Sequence, residues 1–369
     1  MTELANIIHH YREQLEAKYG HCLLPGQRRA LDAISRCRTP ASGSVHVHCD
    51  ACGNTQWNPC SCGHRSCPRC QNHETSQWLD RQREKLLPVD YFLVTFTIPS
   101  ELRELAWHHQ RPMYMALFKA AIQRLRSFGL DPKHLGADMG MTAVLHTHSR
   151  RLAYHPHIHV VVPGGGVDHK QRVWKQTRRK HYLFNAFALA KVFRGKLLHE
   201  IAGAGLQSPT VPKKWVVDCR FSGRGDSALK YLSRYLYRGV ISASNIISDS
   251  DGQVRFRYTD GESGEVRTNT LPGVDFLWKI IQHVLPRGFH RVRDYGFLHH
   301  KARKTLQLIQ LILRVSIQPA PKTRKERPPF RCSACGEPMV IVGVRRGNLS
   351  RLLEQHMLQG VAPPPIPVV

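Results

Sequence analysis

The chain has 369 residues, with 54 Lys and Arg against 27 Asp and Glu, a formal charge of +27. Its 41% hydrophobic content supports an ordinary packed core and excludes global disorder, and the length fits about two domains of roughly 150 residues. A charge of this size opposes compaction unless a polyanion neutralises it, which puts nucleic acid first and an anionic membrane surface second. No apolar run reaches the ~18 residues of a membrane span, and the polar, partly acidic stretch from Met1 to Glu16 lacks the pattern of a signal peptide. Lys and Arg are spread along most of the chain rather than gathered on one amphipathic helix, so no membrane partner is expected.

In chain order, residues 3–37 read as two helices broken at Leu24 to Gly26, with Ala30, Leu31 and Ile34 on one face of the second. Residues 45–73 carry cysteines and few large apolar side chains, so metal must hold them. A helix from Glu74 to Leu87 stops at Pro88, and Tyr91 to Ile98 is the best β-strand in the chain, β-branched and aromatic, ended by Pro99. Helix is predicted over 100–128. Met141 to His148 and Ile158 to Val162 follow as strands that a short polar link lets pair antiparallel, the second ended by Pro163 to Gly166. Nine basic and no acidic residues lie between Lys170 and Lys196, with helix in the latter part. Val216 to Phe221 is a fourth strand, Asp226 caps a helix to about Arg238, a hairpin spans Gly252 to Thr270, and Leu271 to His283 is helical. Residues 287–331 hold twelve Lys and Arg against two acids, and the stretch from Val361 is Pro-rich and predicted to be unstructured. No internal repeat is apparent.

Eight of the eleven cysteines fall into close spacings: Cys49-x2-Cys52, Cys60-x-Cys62, Cys67-x2-Cys70 and Cys332-x2-Cys335. Without a secretion signal, this reads as metal binding in a reducing cytoplasm rather than a disulfide framework. Two C-x2-C pairs with fourteen residues between them make Cys49, Cys52, Cys67 and Cys70 the expected ligands of a tetrahedral structural zinc ion. Cys60, Cys62 and His64 could replace one ligand or belong to a second site. Cys332 and Cys335 are half a ribbon without a matching half nearby: a further metal site, or a reduced thiol pair in a small hairpin. Cys22, Cys37 and Cys219 stand alone and read as small buried hydrophobes.

The segment His155-Pro156-His157-Ile158-His159-Val160-Val161-Val162 carries the most chemistry. Alternate side chains of a strand share a face, so His157 and His159 project together while Ile158, Val160 and Val162 enter the core. Two imidazoles so placed can ligate one divalent ion. His146 on the preceding strand is the preferred third ligand, with His148 sharing its face and His155 in reserve. From Asp226 to Arg238 the chain reads DSALKYLSRYLYR, with Leu229, Leu232 and Leu236 on the core face and Tyr231 and Tyr235 one turn apart on its flank. Arg234 and Arg238 lie beside that pair, and Tyr237 falls on the opposite flank. Two tyrosines, a basic edge and an imidazole metal site are the parts needed for phosphodiester transfer through tyrosine.

These segments resemble the rolling-circle transposases of insertion sequences, the two-tyrosine branch of the HUH endonucleases (His, bulky hydrophobic, His). The resemblance is carried by Cys49 to Gln71, Leu93 to Pro99, His155 to Gly166, Lys230 to Ser242 and Arg291 to Lys304, in family order. It implies an α+β fold: an N-terminal helical and zinc-ribbon module, then an antiparallel sheet flanked by helices with the histidine strand central. Its domains would be 1–90, DNA-binding; 91–304, catalytic; and 305–369, a basic region with a CxxC knuckle and a Pro-rich tail. Tyr231 and Tyr235 would be the nucleophiles, leaving a 5′-phosphotyrosine and a free 3′-OH. His157 and His159 would hold Mg²⁺ or Mn²⁺, and Lys230, Arg234 and Arg238 would contact DNA. Single-stranded DNA and element-end DNA are the partners implied, in a cytoplasmic, nucleoid-associated bacterial protein. Two other readings compete: a non-catalytic zinc-ribbon DNA-binding protein, and a plasmid replication initiator or relaxase with the same chemistry on different DNA. A metallohydrolase fits less well, since His157-x-His159 is not followed by Asp-His and paired carboxylates are not evident.

Overall fold

A computed structural model describes residues 4–70, 72–227, 229, 240–260, 263–315 and 329–347. It opens with two helices, α1 (Leu4–Tyr19) and α2 (Pro25–Ser35). Pro25 starts α2, where its missing N–H costs nothing and its φ suits the first turn. Strands β1 (Ser44–His48) and β2 (Thr55–Pro59) form a hairpin, and α3 (Asn72–Arg83) leads into β3 (Asp90–Thr97). The helix expected over 100–128 is two, α4 (Arg103–His108) and α5 (Gln110–Leu130), because His109 leaves helical geometry at φ −121°, ψ 50°.

Next come β4 (Met141–His148), β5 (Tyr154–Pro163), the hairpin β6 (Gly165–Asp168) and β7 (Val173–Gln176), α6 (Ala186–Gly203) and β8 (Val217–Arg224). The glycine run after Pro163 is needed for close approach: a Cβ at Gly165 would lie 2.5 Å from the Trp174 ring, and one at Gly166 2.6 Å from the Asp138 carbonyl. Strands β9 (Ile246–Ser250), β10 (Gln253–Thr259) and β11 (Val266–Pro272) make a meander, followed by the Gly273–Ile281 helix, β12 (Val292–Tyr295) and the Arg303–Ile312 helix. Strands β13 (Phe330–Arg331) and β14 (Pro338–Arg345) close the described chain.

The central sheet has the order β12-β4-β5-β3-β8, antiparallel throughout. One face, carrying Val94, Phe96, Ile158, Val160 and Val162, is wholly buried in a core shared with Leu125 of α5 and Phe193 and Leu197 of α6. On the other face, Val144 and Val161 pack at one end with Trp78 of α3, Phe297 and Ile309. Among the described residues, the far end of that face lines a cleft. Asp294 ties β12 to β4 and to the turn after α3, accepting from Thr142 Oγ1 at 2.7 Å and from Lys85 Nζ at 2.6 Å.

The N-terminal helices do not fold as a separate unit. Ile7, Ile8 and Leu15 of α1 and Leu31 of α2 share a buried core with Val254 and Phe256 of β10 and Phe276 and Leu277 of the Gly273–Ile281 helix. Tyr19 stacks on Trp278 at 4.6 Å and donates to Asp275 at 2.7 Å. The last described strand returns to the N-terminal part of the chain: β14 pairs with β1, giving a second sheet of order β13-β14-β1-β2, so Cys332 and Cys335 lie beside the β1–β2 hairpin. Among the described residues, no helix is long and apolar enough to cross a membrane.

Candidate metal centre and DNA-processing site

The cleft end of the central sheet is built by register. β5 pairs with β4 so that His157 faces His146, and with β3 so that His159 faces Thr95. Cross-strand partners share a face. One side of the sheet therefore presents His146, His157 and His159, whose nearest ring nitrogens all lie within 4.8 Å of one another. Ring centroids stand 4.5 Å apart for His146 and His159, 4.8 Å for His157 and His159, and 5.2 Å for His146 and His157.

Hydrogen bonds orient this trio. His157 Nδ1 donates to the His155 carbonyl at 2.7 Å, which leaves Nε2 as the lone-pair nitrogen. The Thr95 hydroxyl holds His159 Nδ1 at 2.9 Å, again turning Nε2 outward. Such outer partners fix ring orientation in imidazole metal sites. Burial also keeps the rings neutral, the form that ligates. It pushes His157 down to about 4, and with the neighbouring imidazoles it holds His146 and His159 well below the usual histidine range. His155 is not part of the trio, its Nδ1 accepting from Arg103 at 2.9 Å. His148 turns toward His283, with ring centroids 5.2 Å apart.

The trio lines a cleft of about 600 Å³. Thr95 and Thr97 form its floor with the histidines, and Ile241, Ser242, Asn245 and Phe256 to Thr259 form the facing wall. Arg150 and Arg257 also line it, and no carboxylate does among the described lining residues. Three neutral imidazoles are a donor set that could hold a divalent metal ion. Lys230, Tyr231, Arg234, Tyr235, Tyr237 and Arg238 lie outside the described residues.

The buried neutral histidines make acid stability predictable. Their folded pKa values are depressed, so the metal-free fold is fully stabilised above the unfolded value of ~6.5 and loses stability as pH falls from there. For His157 alone the interval from 6.5 to about 4 corresponds to roughly 3 kcal/mol. Thermal unfolding of the metal-free protein is expected to shift down steadily from pH 7 to pH 4. A flat profile would contradict neutral burial.

The cysteines depart from expectation. Cys49, Cys52, Cys67 and Cys70 do not converge on one point, because the two pairs belong to different clusters. Cys67 and Cys70 meet Cys37 and Cys62, with Sγ atoms 3.6 Å apart for Cys37–Cys70 and Cys37–Cys67 and 3.7 Å for Cys62–Cys70. Cys37, read from the sequence as an isolated hydrophobe, is thus one of four converging thiols. Cys49 and Cys52 meet Cys332 and Cys335 instead. Cys60 joins neither group, and His64 Nδ1 accepts from the Ser66 amide at 3.2 Å. The sequence carries a signal for the second grouping: C-x-A-C-G recurs at Cys49 to Gly53 and Cys332 to Gly336, a short internal repeat hidden by the 280-residue separation of Cys52 from Cys332.

Three histidines converging on a cleft of an antiparallel sheet, beside two clusters of converging cysteines, are arrangements that could hold metal ions, and comparison with known proteins gives the class of protein. Residues 7–98 match the family model "Transposase zinc-binding domain", and residues 140–305 match "Putative transposase". The chain is 36% identical over 327 residues to "Putative transposase y4qJ" of Sinorhizobium fredii, covering 82% of this chain and 81% of that protein. It is 27% identical over 371 residues to the "Transposase for insertion sequence element IS801" of Pseudomonas savastanoi pv. phaseolicola, covering 89% and 88%. The chain belongs to the rolling-circle transposase family of insertion sequences, of the IS91 and IS801 type. A conjugative relaxase, TrwC, in complex with mutant OriT DNA aligns over 61% of this chain and 74% of its own, at 12% identity and a TM-score of 0.28.

Proposed function

We propose that this transposase nicks and rejoins single-stranded DNA at element ends through a 5′-phosphotyrosine intermediate, driving rolling-circle transposition. The observation that carries the reading is the convergence of three neutral, oriented imidazoles on an open cleft. His146, His157 and His159 would hold Mg²⁺ or Mn²⁺, which supplies Lewis-acid polarisation and orientation of the scissile phosphate. Thr95 and the His155 carbonyl keep the ring nitrogens aimed. Tyr231 and Tyr235, assigned by family resemblance, act as nucleophiles. The phenolate oxygen of one bonds to phosphorus, the bond to the 3′ oxygen breaks, and the phenolic proton passes through solvent to give a free 3′-OH. The second tyrosine acts at the next cleavage or transfer. Arg234, Arg238 and Lys230 would offset charge developing on the phosphate.

The Cys37, Cys62, Cys67 and Cys70 cluster would hold a structural zinc ion. Cys67 and Cys70 are buried with Ile241 and Ile246, so this ion would brace the wall that faces the histidines. The basic stretches, Lys170 to Lys196 and Arg287 to Arg331, would track the DNA backbone, with affinity falling steeply as salt rises.

Incubating the purified protein with end-labelled single-stranded element-end oligonucleotides should yield a protein–DNA adduct stable on a denaturing gel, dependent on Mg²⁺ or Mn²⁺. Duplex DNA of the same sequence should give little. An absence of adduct with every element-end strand would exclude the mechanism and favour a non-catalytic DNA-binding role.

A further inference from the structure

Cys49, Cys52, Cys332 and Cys335 lie outside the reach of any local motif, since Cys52 and Cys332 are separated by 280 residues in sequence. Their sulfur atoms nevertheless come within 4.8 Å of one another. Cys49 and Cys335 are 3.5 Å apart and Cys52 and Cys332 3.6 Å. Four thiolates at about 2.3 Å from one ion in tetrahedral geometry stand about 3.8 Å apart. The observed separations are close to that value and far from the ~2.05 Å of a disulfide.

The two halves are built alike. In each, the first cysteine's amide donates to a carbonyl five residues on: Cys49 to Asn54 and Cys332 to Glu337, both at 2.9 Å. In each, a glycine amide donates back to that cysteine's carbonyl, Gly53 to Cys49 at 2.9 Å and Gly336 to Cys332 at 3.0 Å. Both glycines have positive φ, +73° and +79°, which lets the chain turn so tightly. Asn54 Nδ2 and the Ala334 amide reach Cys332 Sγ at 3.5 and 3.4 Å, donors that suit a thiolate. Each knuckle caps a hairpin, and the hairpins join through β1 and β14.

The apolar core beneath this sheet is Val47, Cys49, Cys332 and Met339, with Val45 partly buried against it. Two of those four residues are cysteines. A core that small cannot hold two hairpins together, and modules of this size need a metal or a cross-link.

We propose that these four cysteines bind a second structural zinc ion, completing a zinc ribbon into which the whole transposase region is inserted. The ion would clasp the Phe330–Arg345 hairpin to the N-terminal module, and its binding does not depend on how the histidine cleft works.

The test measures zinc per chain in the full-length protein purified under reducing conditions, in a His157→Ala, His159→Ala background that removes the imidazole trio. Two zinc ions per chain are expected. Cys332→Ser with Cys335→Ser should lower this to one, and adding Cys49→Ser and Cys52→Ser should lower it no further. Combining Cys332→Ser and Cys335→Ser with Cys67→Ser and Cys70→Ser should bring it to zero. Retention of two ions without Cys332 and Cys335 would overturn the proposal, as would loss of a second ion in the four-serine variant of this cluster. Cys335→His guards against misfolding: it should keep two metals while the thiolate-to-cobalt charge-transfer band of the cobalt-substituted protein weakens and shifts. An unchanged cobalt spectrum would equally overturn the assignment.

Discussion

Replacing Tyr231 and Tyr235 together by Phe is expected to abolish the covalent DNA adduct and lower strand cleavage by at least ~10³-fold, since loss of a nucleophile removes the pathway rather than weakening it. Phe preserves the apolar ring, so the variant should fold and still bind single-stranded DNA. Binding without adduct is therefore the expected pair of results, read from gel shift and denaturing gel on the same samples. Each single variant should keep one half of the reaction, forming an adduct at one DNA end while losing the second transfer. Tyr237→Phe separates a reactive pair from a generally tyrosine-rich helix and should retain both steps. If the double variant still forms adduct, the assignment to these two tyrosines fails. If it still supports transposition, the non-catalytic zinc-ribbon reading gains.

Removing His159 should be nearly as severe. Its ring lies within 4.8 Å centroid distance of both His146 and His157, so His159→Ala opens the middle of the trio. Loss of a metal's outer partner typically costs 10–100-fold in affinity or activity, and loss of a ligand should exceed roughly 100-fold. Thr95→Val supplies the graded comparison: it keeps the ligand, deletes the hydroxyl on His159 Nδ1, and should fall in the 10–100-fold range. Raised Mn²⁺ concentrations should partly rescue Thr95→Val and leave His159→Ala inactive. Equal activity of His159→Ala and the wild type at limiting Mn²⁺ would exclude the trio as the metal site.

Much of the site was legible because it is local. Alternation along His157 to Val162 placed two imidazoles on one face, and the strand observed there, Tyr154–Pro163, keeps that alternation. His146 was within reach because the short link from Ser149 to Ala153 makes β4 and β5 neighbours, which restricts the third donor to the few positions facing β5. The break of the 100–128 helix at His109 had a local signal, Pro112, which is tolerated in the first turn of α5 but not inside a continuous helix. The hairpin β6–β7 and the edge strand β12 gave no reading, being only four residues per strand, whereas a small hairpin at Cys332 and Cys335 was among the readings and is β13–β14. The tyrosine helix was read from the helical spacing of Leu229, Leu232 and Leu236 and of Tyr231 and Tyr235, and these two tyrosines lie outside the described residues.

The cysteines mark the boundary between the two kinds of information. Charge, residue types, the histidine strand and the family-ordered motifs were determined by the sequence alone, because each depends on residues within a few positions of one another. Which thiols share an ion depends on chain closure. Cys37 reaches Cys70 across 33 positions, and Cys49 reaches Cys335 across 286, through the pairing of β1 with β14. Spacing rules favour the nearest C-x2-C pair because a short loop costs little entropy to close, but that cost grows only slowly with length. The pairing of β1 with β14 outweighs it, and so only the tertiary structure decided that one cysteine module is two.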